Sequence, residues 1–241
     1  MSMPQNDEID IQALVDSYIQ QQIELYGDDP VLDQGVMAAF FRAQNGEDPW
    51  HNLVSLQELE EAIRNCLKCP LGATRQNFVF GSGDPHADIV LIGEAPGATE
   101  DQLGQPFVGE AGHLLDKILA SIDFKRQDVY ICNILKCRPP ANRDPQSEEI
   151  EQCAPFLLKQ IELIKPEFIL CLGRHAAHTL LKTTQALSVL RGREHQWNGI
   201  RLLVTYHPAA LLRYPQFKPE TWEDVKLLRR LYDDYMKHRP V

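Results

Sequence analysis

Three polar side chains stand where apolar runs of the sequence end, and their types suit the binding and turnover of a polar ligand. Glu94 and His207 follow two such runs, and Asn133 lies towards the end of another. Continuous apolar runs separated by helical segments are typical of buried parallel strands, and open α/β sheets bind ligands at the carboxyl ends of their strands. We therefore expect a carboxylate, an amide with one donor and one acceptor, and an imidazole to converge on one crevice.

The cysteines form a second group with possible chemistry. Cys66 and Cys69 make a C-x-x-C step, and Cys137 and Cys153 make a C-x15-C step. Four thiolates from two separate segments suit either zinc or an iron–sulfur cluster. The second step is too wide for a zinc knuckle, which favours a cubane cluster without excluding zinc. The other two cysteines, Cys132 and Cys171, lie inside apolar runs and are expected to be buried apolar residues.

The elements that must position these residues alternate along the chain, which predicts a doubly wound α/β domain. A serine followed three residues later by glutamate, at Ser55 and Glu58, predicts the start of its first helix. The predicted strands are Ala87–Ile92, Val129–Leu135, Phe168–Leu172 and Ile200–Tyr206, and the predicted helices are Ala111–Ser121, Ser147–Ile164, His175–Lys182 and about Thr221–His238.

Composition excludes several classes of protein. The chain has 241 residues, 44% of them hydrophobic and 24% charged, so a wholly disordered, collagenous or disulfide-stapled protein is excluded. It contains no apolar run of about 18 residues, which argues against a membrane-spanning helix. The start of the chain has neither a basic segment nor an apolar one. We expect a cytoplasmic protein that does not bind membranes.

Charge is distributed unevenly between the start of the chain and the rest. Residues 1–62 contain thirteen acidic residues and one basic residue, whereas residues 63–241 contain 23 basic and 21 acidic residues. The larger part can therefore carry local basic patches for nucleic acid. The sequence suggests two of them, formed by Arg126, Lys136, Arg138 and Arg143 and by Arg191, Arg193, Arg201 and Arg213.

The first 54 residues are predicted to be an acidic, helical extension to a catalytic domain over 55–241. Apolar residues recur at helical spacing between Ile11 and Ile23, and Gly27 and Pro30 would end that helix. An amphipathic helix of this kind either packs on the domain or docks a partner protein, and the sequence leaves both open.

Five ordered motifs between about Leu67 and Arg213 resemble those of the family 4 uracil-DNA glycosylases. They are CLKCPL, GEAPGATEDQLGQPFVGEAG, YICNILKCRPPANRDP, the C-x15-C step and HPAALLR. The related family with an aspartate in the first motif is disfavoured because Ala95 occupies that position. The branch that traps uracil covalently carries a basic, histidine-containing insert that RPPANRDP does not match. Residues 1–54 fall outside the resemblance.

The resemblance implies a three-layer α/β/α fold with a central, mostly parallel four-stranded sheet. It also implies a monofunctional enzyme of base excision repair that flips uracil out of DNA and hydrolyses its glycosidic bond. The implied uracil-binding residues are Glu94, Ala95, Pro96, Glu100, Phe107, Asn133 and His207. Phe107 would stack on the base, Glu100 would exclude the thymine methyl group, and His207 would donate to uracil O2. Either Glu94 or Asn142 would position the catalytic water, and the sequence does not choose between them.

The resemblance also extends to DNA and to a cofactor. The implied DNA contacts are Arg138, Arg143, Leu211, Leu212 and Arg213, with one leucine entering the gap that the flipped base leaves. The implied ligands of a structural [4Fe-4S] cluster are Cys66, Cys69, Cys137 and Cys153. We expect a monomer. Two other classes stay open: a non-catalytic cluster protein that binds nucleic acid or a repair partner, and a hydrolase or transferase that acts on free nucleotides.

Overall fold

The computed structural model describes residues 49–239, and it divides the chain into two units, residues 1–52 and 53–241. Of the first unit it describes one 3-10 turn, Pro49–Asn52. The helix predicted between Ile11 and Ile23 lies outside the described residues. No helix within the described part of the chain is long and apolar enough to cross a membrane.

The second unit alternates helices and strands, as predicted. Its helices are α1 (Leu56–Ile63), α2 (Leu71–Thr74), α3 (Ala98–Leu103), α4 (Glu110–Ala120), α5 (Ser147–Ile164), α6 (Arg174–Leu181), α7 (Leu187–Leu190), α8 (Pro208–Arg213) and α9 (Lys218–His238). Its strands are β1 (Ser82–Gly83), β2 (Ile89–Gly93), β3 (Tyr130–Asn133), β4 (Phe168–Leu172), β5 (His195–Trp197) and β6 (Ile200–Thr205). Further 3-10 turns span Arg126–Asp128, Pro140–Asn142 and Pro215–Phe217.

The sheet has six strands in the order β1-β3-β2-β4-β6-β5. Its four central strands are the four predicted ones, and they run parallel. The prediction of four strands in total was wrong, because β1 and β5 add antiparallel pairs at the two edges. These edge strands have two and three residues and no apolar run, so nothing in their own sequence distinguishes them from loops.

Helices cover both faces of the sheet, which confirms the three-layer architecture. One face contributes alternate strand residues to a core with α4 and α9, for example Leu91 of β2, Leu115 of α4 and Leu228 of α9. On the other face α6 packs on β2 and β4, and Gln160 of α5 donates to the Tyr130 hydroxyl group on β3. The central strands are therefore buried on both sides, and their sequences are continuously apolar for that reason.

Several residues of the predicted basic patches serve the fold instead. Lys136 is fully buried. Its ammonium group is satisfied there by donating to the Asn133 carbonyl oxygen and to Gln160. Arg191 donates to both carboxylate oxygens of Asp224, at 2.9 and 2.8 Å. The prediction that Lys136 belongs to a surface patch was wrong, since its side chain is held in the interior by Gln160 of α5, which is distant in sequence.

The two ion pairs at Arg191 and Arg201 predict different losses of stability. Asp224 is 1% exposed, whereas the carboxylate partner of Arg201, Glu194, is 30% exposed. Replacing Arg191 by alanine leaves a buried carboxylate with Thr205 as its remaining side-chain partner and should cost about 3–5 kcal/mol. The matched Arg201→Ala change should cost less than about 1 kcal/mol, since water solvates Glu194. Urea unfolding of both variants measures the difference, and equal losses would contradict this interpretation.

Candidate active site

The centre of the site lies where β2 and β3 end side by side. Gly93 pairs with Asn133 across the two strands. A Cβ atom on Gly93 would lie 2.3 Å from Asn133 Oδ1 and 2.6 Å from Cζ of Phe107, so only glycine leaves this space open. Asn133 is 2% exposed, and its Oδ1 has no hydrogen-bond partner among the described residues. A buried acceptor without a partner beside an aromatic edge suits a planar ligand that brings an N–H donor.

Phe107 has a backbone conformation that only specific contacts can hold. Its φ is 52°, in the left-handed region. Arg126 Nη1 donates to the Phe107 carbonyl oxygen at 2.8 Å, and Nη2 donates to that of Pro106. The same carbonyl lies so close to α4 that a Cβ atom on Gly112 would be 1.8 Å from it. Arg126, predicted to belong to a basic patch, thus holds the loop that presents the aromatic ring.

Glu100 organises the same loop. Its Oε1 accepts hydrogen bonds from the backbone N–H groups of Val108 and Gly109, at 2.9 and 2.8 Å. Its Oε2 accepts from the N–H group of Gly97 at 3.1 Å, at the start of α3. Three main-chain donors therefore fix this carboxylate beside Phe107. The exclusion of a methyl group by Glu100 stays a prediction.

His207 faces the aromatic ring from the end of β6. The centroids of the His207 and Phe107 rings are 5.4 Å apart. His207 Nδ1 accepts a hydrogen bond from the backbone N–H of Ala209 at 3.2 Å, which caps α8 and leaves the proton of the neutral ring on Nε2. Burial and the charge of Arg213 lower the pKa of His207 to about 4, against the opposing effect of Glu100. The ring is therefore a neutral hydrogen-bond donor near pH 7.

Glu94 follows directly after β2, and its side chain lies near two residues that were not predicted as site residues, His175 and Asp144. Its Oε2 lies 3.6 Å from Nε2 of His175, and Asp144 Oδ2 lies 3.6 Å from the same nitrogen. Burial and the charge of Asp144 raise the pKa of Glu94 to about 7, although Arg174 and Arg213 oppose the shift. The sequence did hold a signal, since LGRHAAH follows the third predicted strand and so belongs to the same end of the sheet.

The remaining predicted pocket residues differ in their surroundings. Ala95 is partly exposed and Pro96 is buried, and both lie between β2 and α3. Asn142 is exposed, and its Oδ1 accepts a hydrogen bond from Arg138 Nε at 2.8 Å. The Asn142 oxygen is thus already bonded to an arginine. The residue of this loop that lies close to Glu94 is Asp144.

The predicted DNA contacts separate into buried and exposed side chains. Arg143 binds both carboxylate oxygens of Glu149, a residue that is 1% exposed. Leu211 is also 1% exposed, whereas Leu212 is 44% exposed. The guanidinium group of Arg213 is on the surface. Burial prevents Leu211 from entering DNA without unpacking α8, so Leu212 is the leucine that has an accessible side chain.

The four cysteines of the predicted cluster come together from three parts of the chain. Cys66 and Cys69 lie between α1 and α2, Cys137 follows β3, and Cys153 is on α5. Burial raises the pKa of Cys137, and the nearby Cys66 and Cys69 thiolates raise it further, although Arg75 opposes them. The sulfur atoms of Cys66, Cys137 and Cys153 each accept a hydrogen bond, from Lys68 N, Arg75 Nη1 and Lys136 N, respectively.

The four cysteines share one donor chemistry, the thiolate, which suits either a zinc ion or an iron–sulfur cluster. The group of at least three potential ligand atoms that lies within 4.8 Å in residues 49–239 consists instead of Glu94, Asp144 and His175. Cys132 and Cys171 are buried in β3 and β4, as predicted.

Comparison with known proteins identifies relatives of this chain. The uracil DNA glycosylase superfamily matches residues 80–226. The type-4 uracil-DNA glycosylase of Archaeoglobus fulgidus is 44% identical over 185 residues, which cover 73% of this chain and 93% of that protein. The type-4 enzyme of Pyrobaculum aerophilum is 42% identical over 72% of this chain and 93% of that protein. The type-5 enzyme of the same organism is 30% identical over 54% of this chain and 64% of that protein.

The contacts of Glu100 predict a local effect of its removal. Glu100→Ala leaves three main-chain donors without their acceptor, so we expect a loss of about 1–3 kcal/mol in the free energy of unfolding. Amide hydrogen exchange should accelerate at Val108 and Gly109. The control is Glu110→Ala, an exposed residue in the first turn of α4, which should leave that exchange unchanged. Unchanged protection in Glu100→Ala would show that the carboxylate does not hold the loop.

Proposed function

Because this chain belongs to the uracil DNA glycosylase superfamily and to its type-4 members, we propose that it excises uracil from DNA and leaves an abasic site. The observation that carries this proposal is Oδ1 of Asn133, which has no hydrogen-bond partner within residues 49–239 and lies beside Phe107 in a space that Gly93 keeps open. The substrate base must leave the DNA stack to reach this buried acceptor.

Asn133 and Phe107 read the flipped base. Oδ1 of Asn133 accepts the N3–H of uracil, and the amide nitrogen donates to uracil O4. Cytosine presents an acceptor at N3 and a donor at the exocyclic nitrogen, so the same orientation of Asn133 rejects it. The Phe107 ring provides the face on which the base stacks.

His207 stabilises the negative charge that develops on the leaving base. Its Nε2–H donates to uracil O2, because Nδ1 is occupied by the cap of α8. The hydrogen bond strengthens as the glycosidic bond breaks, so it lowers the barrier more than it improves binding of the substrate. Burial keeps the ring neutral, and no proton transfer from an imidazolium group is needed.

Glu94 acts on the sugar side of the bond. In its ionised form the carboxylate stabilises the positive charge that develops on the sugar and accepts a proton from the attacking water. We assign the water to Glu94 and not to Asn142, because the Asn142 oxygen accepts from Arg138. Asn142 then orients Arg138 towards a phosphate of the DNA.

Exposed side chains around the pocket bind the DNA. Leu212 fills the gap left by the flipped base, and Arg213 and Arg138 contact phosphates without specifying sequence. Arg143 supports the loop between β3 and α5 through its ion pair with buried Glu149.

Cys66, Cys69, Cys137 and Cys153 hold a [4Fe-4S] cluster. Thiolates that accept hydrogen bonds are usual ligands of such clusters, and three of these sulfurs accept one. A bound cluster would supply no electron to the hydrolysis, and its role would be structural. The four cysteines would then tie the segment before β1 to the loop that carries Arg138. The binding of a protein partner through residues 1–54, the monomeric state and the cytoplasmic location stay predictions.

Release of free uracil from a single-uracil oligonucleotide tests the function. The wild-type protein should release uracil from both U·A and U·G duplexes, with kcat/KM rising through about pH 7 as Glu94 ionises. His207→Asn keeps a capping oxygen for α8 but lacks the Nε2 donor, so kcat should fall about 10²–10³-fold. Gly93→Ala should abolish release, because its Cβ occupies the space between Asn133 and Phe107.

The same assay separates the alternatives. Folded wild-type protein that binds the oligonucleotide without releasing uracil would support a binding protein. Release from free deoxyuridine monophosphate but not from DNA would support an enzyme of free nucleotides. Wild-type rates in His207→Asn would remove His207 from the mechanism.

Metal analysis of anaerobically purified protein tests the cluster. We expect about four iron atoms per chain and broad visible absorption. Cys153→Ser should reduce both, whereas Cys171→Ser, at a buried cysteine of β4 outside the cluster group, should retain them. One zinc ion per chain in place of iron would contradict the proposed cluster.

A further inference from the structure

Three side chains from distant parts of the chain meet beside the proposed pocket. Glu94 follows β2, Asp144 precedes α5, and His175 is in the first turn of α6. Oε2 of Glu94 and Oδ2 of Asp144 each lie 3.6 Å from Nε2 of His175, and the three ligand atoms all lie within 4.8 Å of one another. We call this set the acid–imidazole group. The mechanism above uses only one of its members.

Arg174 determines the tautomer and the charge of the His175 imidazole. Its Nε donates to His175 Nε2 at 3.2 Å, and its Nη2 donates to Asp144 Oδ2. His175 Nε2 is therefore an acceptor, and the ring carries its proton on Nδ1. Burial and Arg174 lower the pKa of His175, which keeps the ring neutral although Asp144 opposes this shift. The imidazole is thus occupied by Arg174, and the two carboxylates are the members of the group that can accept from a further donor.

The start of α6 is held against the loop of His207. Gly173, which precedes α6, has φ +93°, and a Cβ atom there would lie 3.1 Å from Cβ of His207. Gly173 N also donates to the Thr205 carbonyl oxygen at 2.8 Å, so the start of α6 is tied through main chain to the end of β6, two residues before His207. The proposed function puts the sugar of the flipped nucleotide on this side of the pocket.

The spacing of the group suits one water molecule. A water that donates one hydrogen to each of two acceptors, with bonds of about 2.8 Å, holds those acceptors about 4.4 Å apart. Oε2 of Glu94 and Oδ2 of Asp144 lie at most 4.8 Å apart, so one water can donate to both carboxylates, whereas the lone pair of His175 Nε2 is taken by Arg174. Polar atoms just beyond direct hydrogen-bonding distance are commonly bridged in this way.

We propose that Asp144 and His175 are positioning residues of the hydrolysis, which hold Glu94 and its attacking water against the sugar. This inference rests on the proposed function. The water oxygen forms the bond to C1′ while the electron pair of the C1′–N1 bond leaves with uracil. The proton of the water passes to the Glu94 carboxylate and then to solvent before the next turnover.

The charges around Glu94 make the pH profile a direct readout of this arrangement. Asp144 raises the pKa of Glu94, and Arg174 from α6 and Arg213 from α8 lower it, while His175 is neutral. Removing the charge of Asp144 therefore shifts the ionisation of Glu94 to lower pH. Removing the charge of Arg174 shifts it to higher pH.

The experiment measures kcat and KM for uracil release between pH 5 and 9 in the full chain. Relative to wild type, the acidic limb of the kcat/KM profile should shift to lower pH in Asp144→Asn and to higher pH in Arg174→Gln. His175→Ala should reduce kcat by about 10-fold to 100-fold with KM unchanged, because the water is misplaced while base binding is intact. His175→Gln should recover part of this loss, since its amide oxygen can accept where Nε2 does.

The matched control is Asp233→Asn, which breaks another arginine–carboxylate pair, that with Arg229 on α9, and should behave as wild type. Iron content and melting temperature report whether each variant is folded. If His175→Ala does not fold, the opposite pH shifts of the acidic limb in the isosteric Asp144→Asn and in Arg174→Gln still test the inference. Unshifted acidic limbs in both, or shifts in the wrong direction, would overturn the inference. A wild-type chain that releases no uracil would instead reject the proposed function.

Discussion

The parallel register of β2 and β3 is the constraint on which the site depends. It sets Gly93 opposite Asn133. Because glycine has no side chain, space stays open beside the Asn133 amide group. The backbone then continues the pairing beyond the strands, since Ile134 N donates to the Gly93 carbonyl oxygen and Leu135 N to that of Glu94. Asn133 and Glu94 are thereby fixed to the same two strand ends. A pocket built on paired strands needs little reorganisation when the charge of the reaction develops.

Burial has opposite consequences for the two titratable groups beside this pocket. Loss of solvation disfavours the charged form of each, so it raises the pKa of Glu94 to about 7 and lowers that of His207 to about 4. The neutral form of His207 therefore coexists with the ionised form of Glu94, and the two groups do not compete for one proton. Environments that separate the pKa values of two neighbouring groups in this way are a common basis for assigning catalytic roles.

The parts of the fold that were predictable from sequence are those with a local signal. Apolar runs identified the four parallel strands, and the rule for ligand sites at strand ends brought Glu94, Asn133 and His207 together. The edge strands have too few residues for such a signal. The proximity of Asp144 and His175 to Glu94 depends on how three segments pack, which periodicity does not encode. The burial of Lys136 was missed for the same reason, since lysine is normally exposed unless a distant partner such as Gln160 accepts from it.

Lys136 shows how the cysteine group can affect uracil excision without taking part in it. Its ammonium group donates to the Asn133 carbonyl oxygen at 2.8 Å, and its backbone N–H donates to Cys153 Sγ at 3.3 Å. One residue thus connects the main chain of Asn133 to a cysteine on α5. A fully buried ammonium group tolerates few positions, because each must satisfy its hydrogen bonds. A group that fixes Cys137 and Cys153 therefore also fixes the segment that carries Asn133, and a structural role is sufficient to explain its place beside a hydrolytic site.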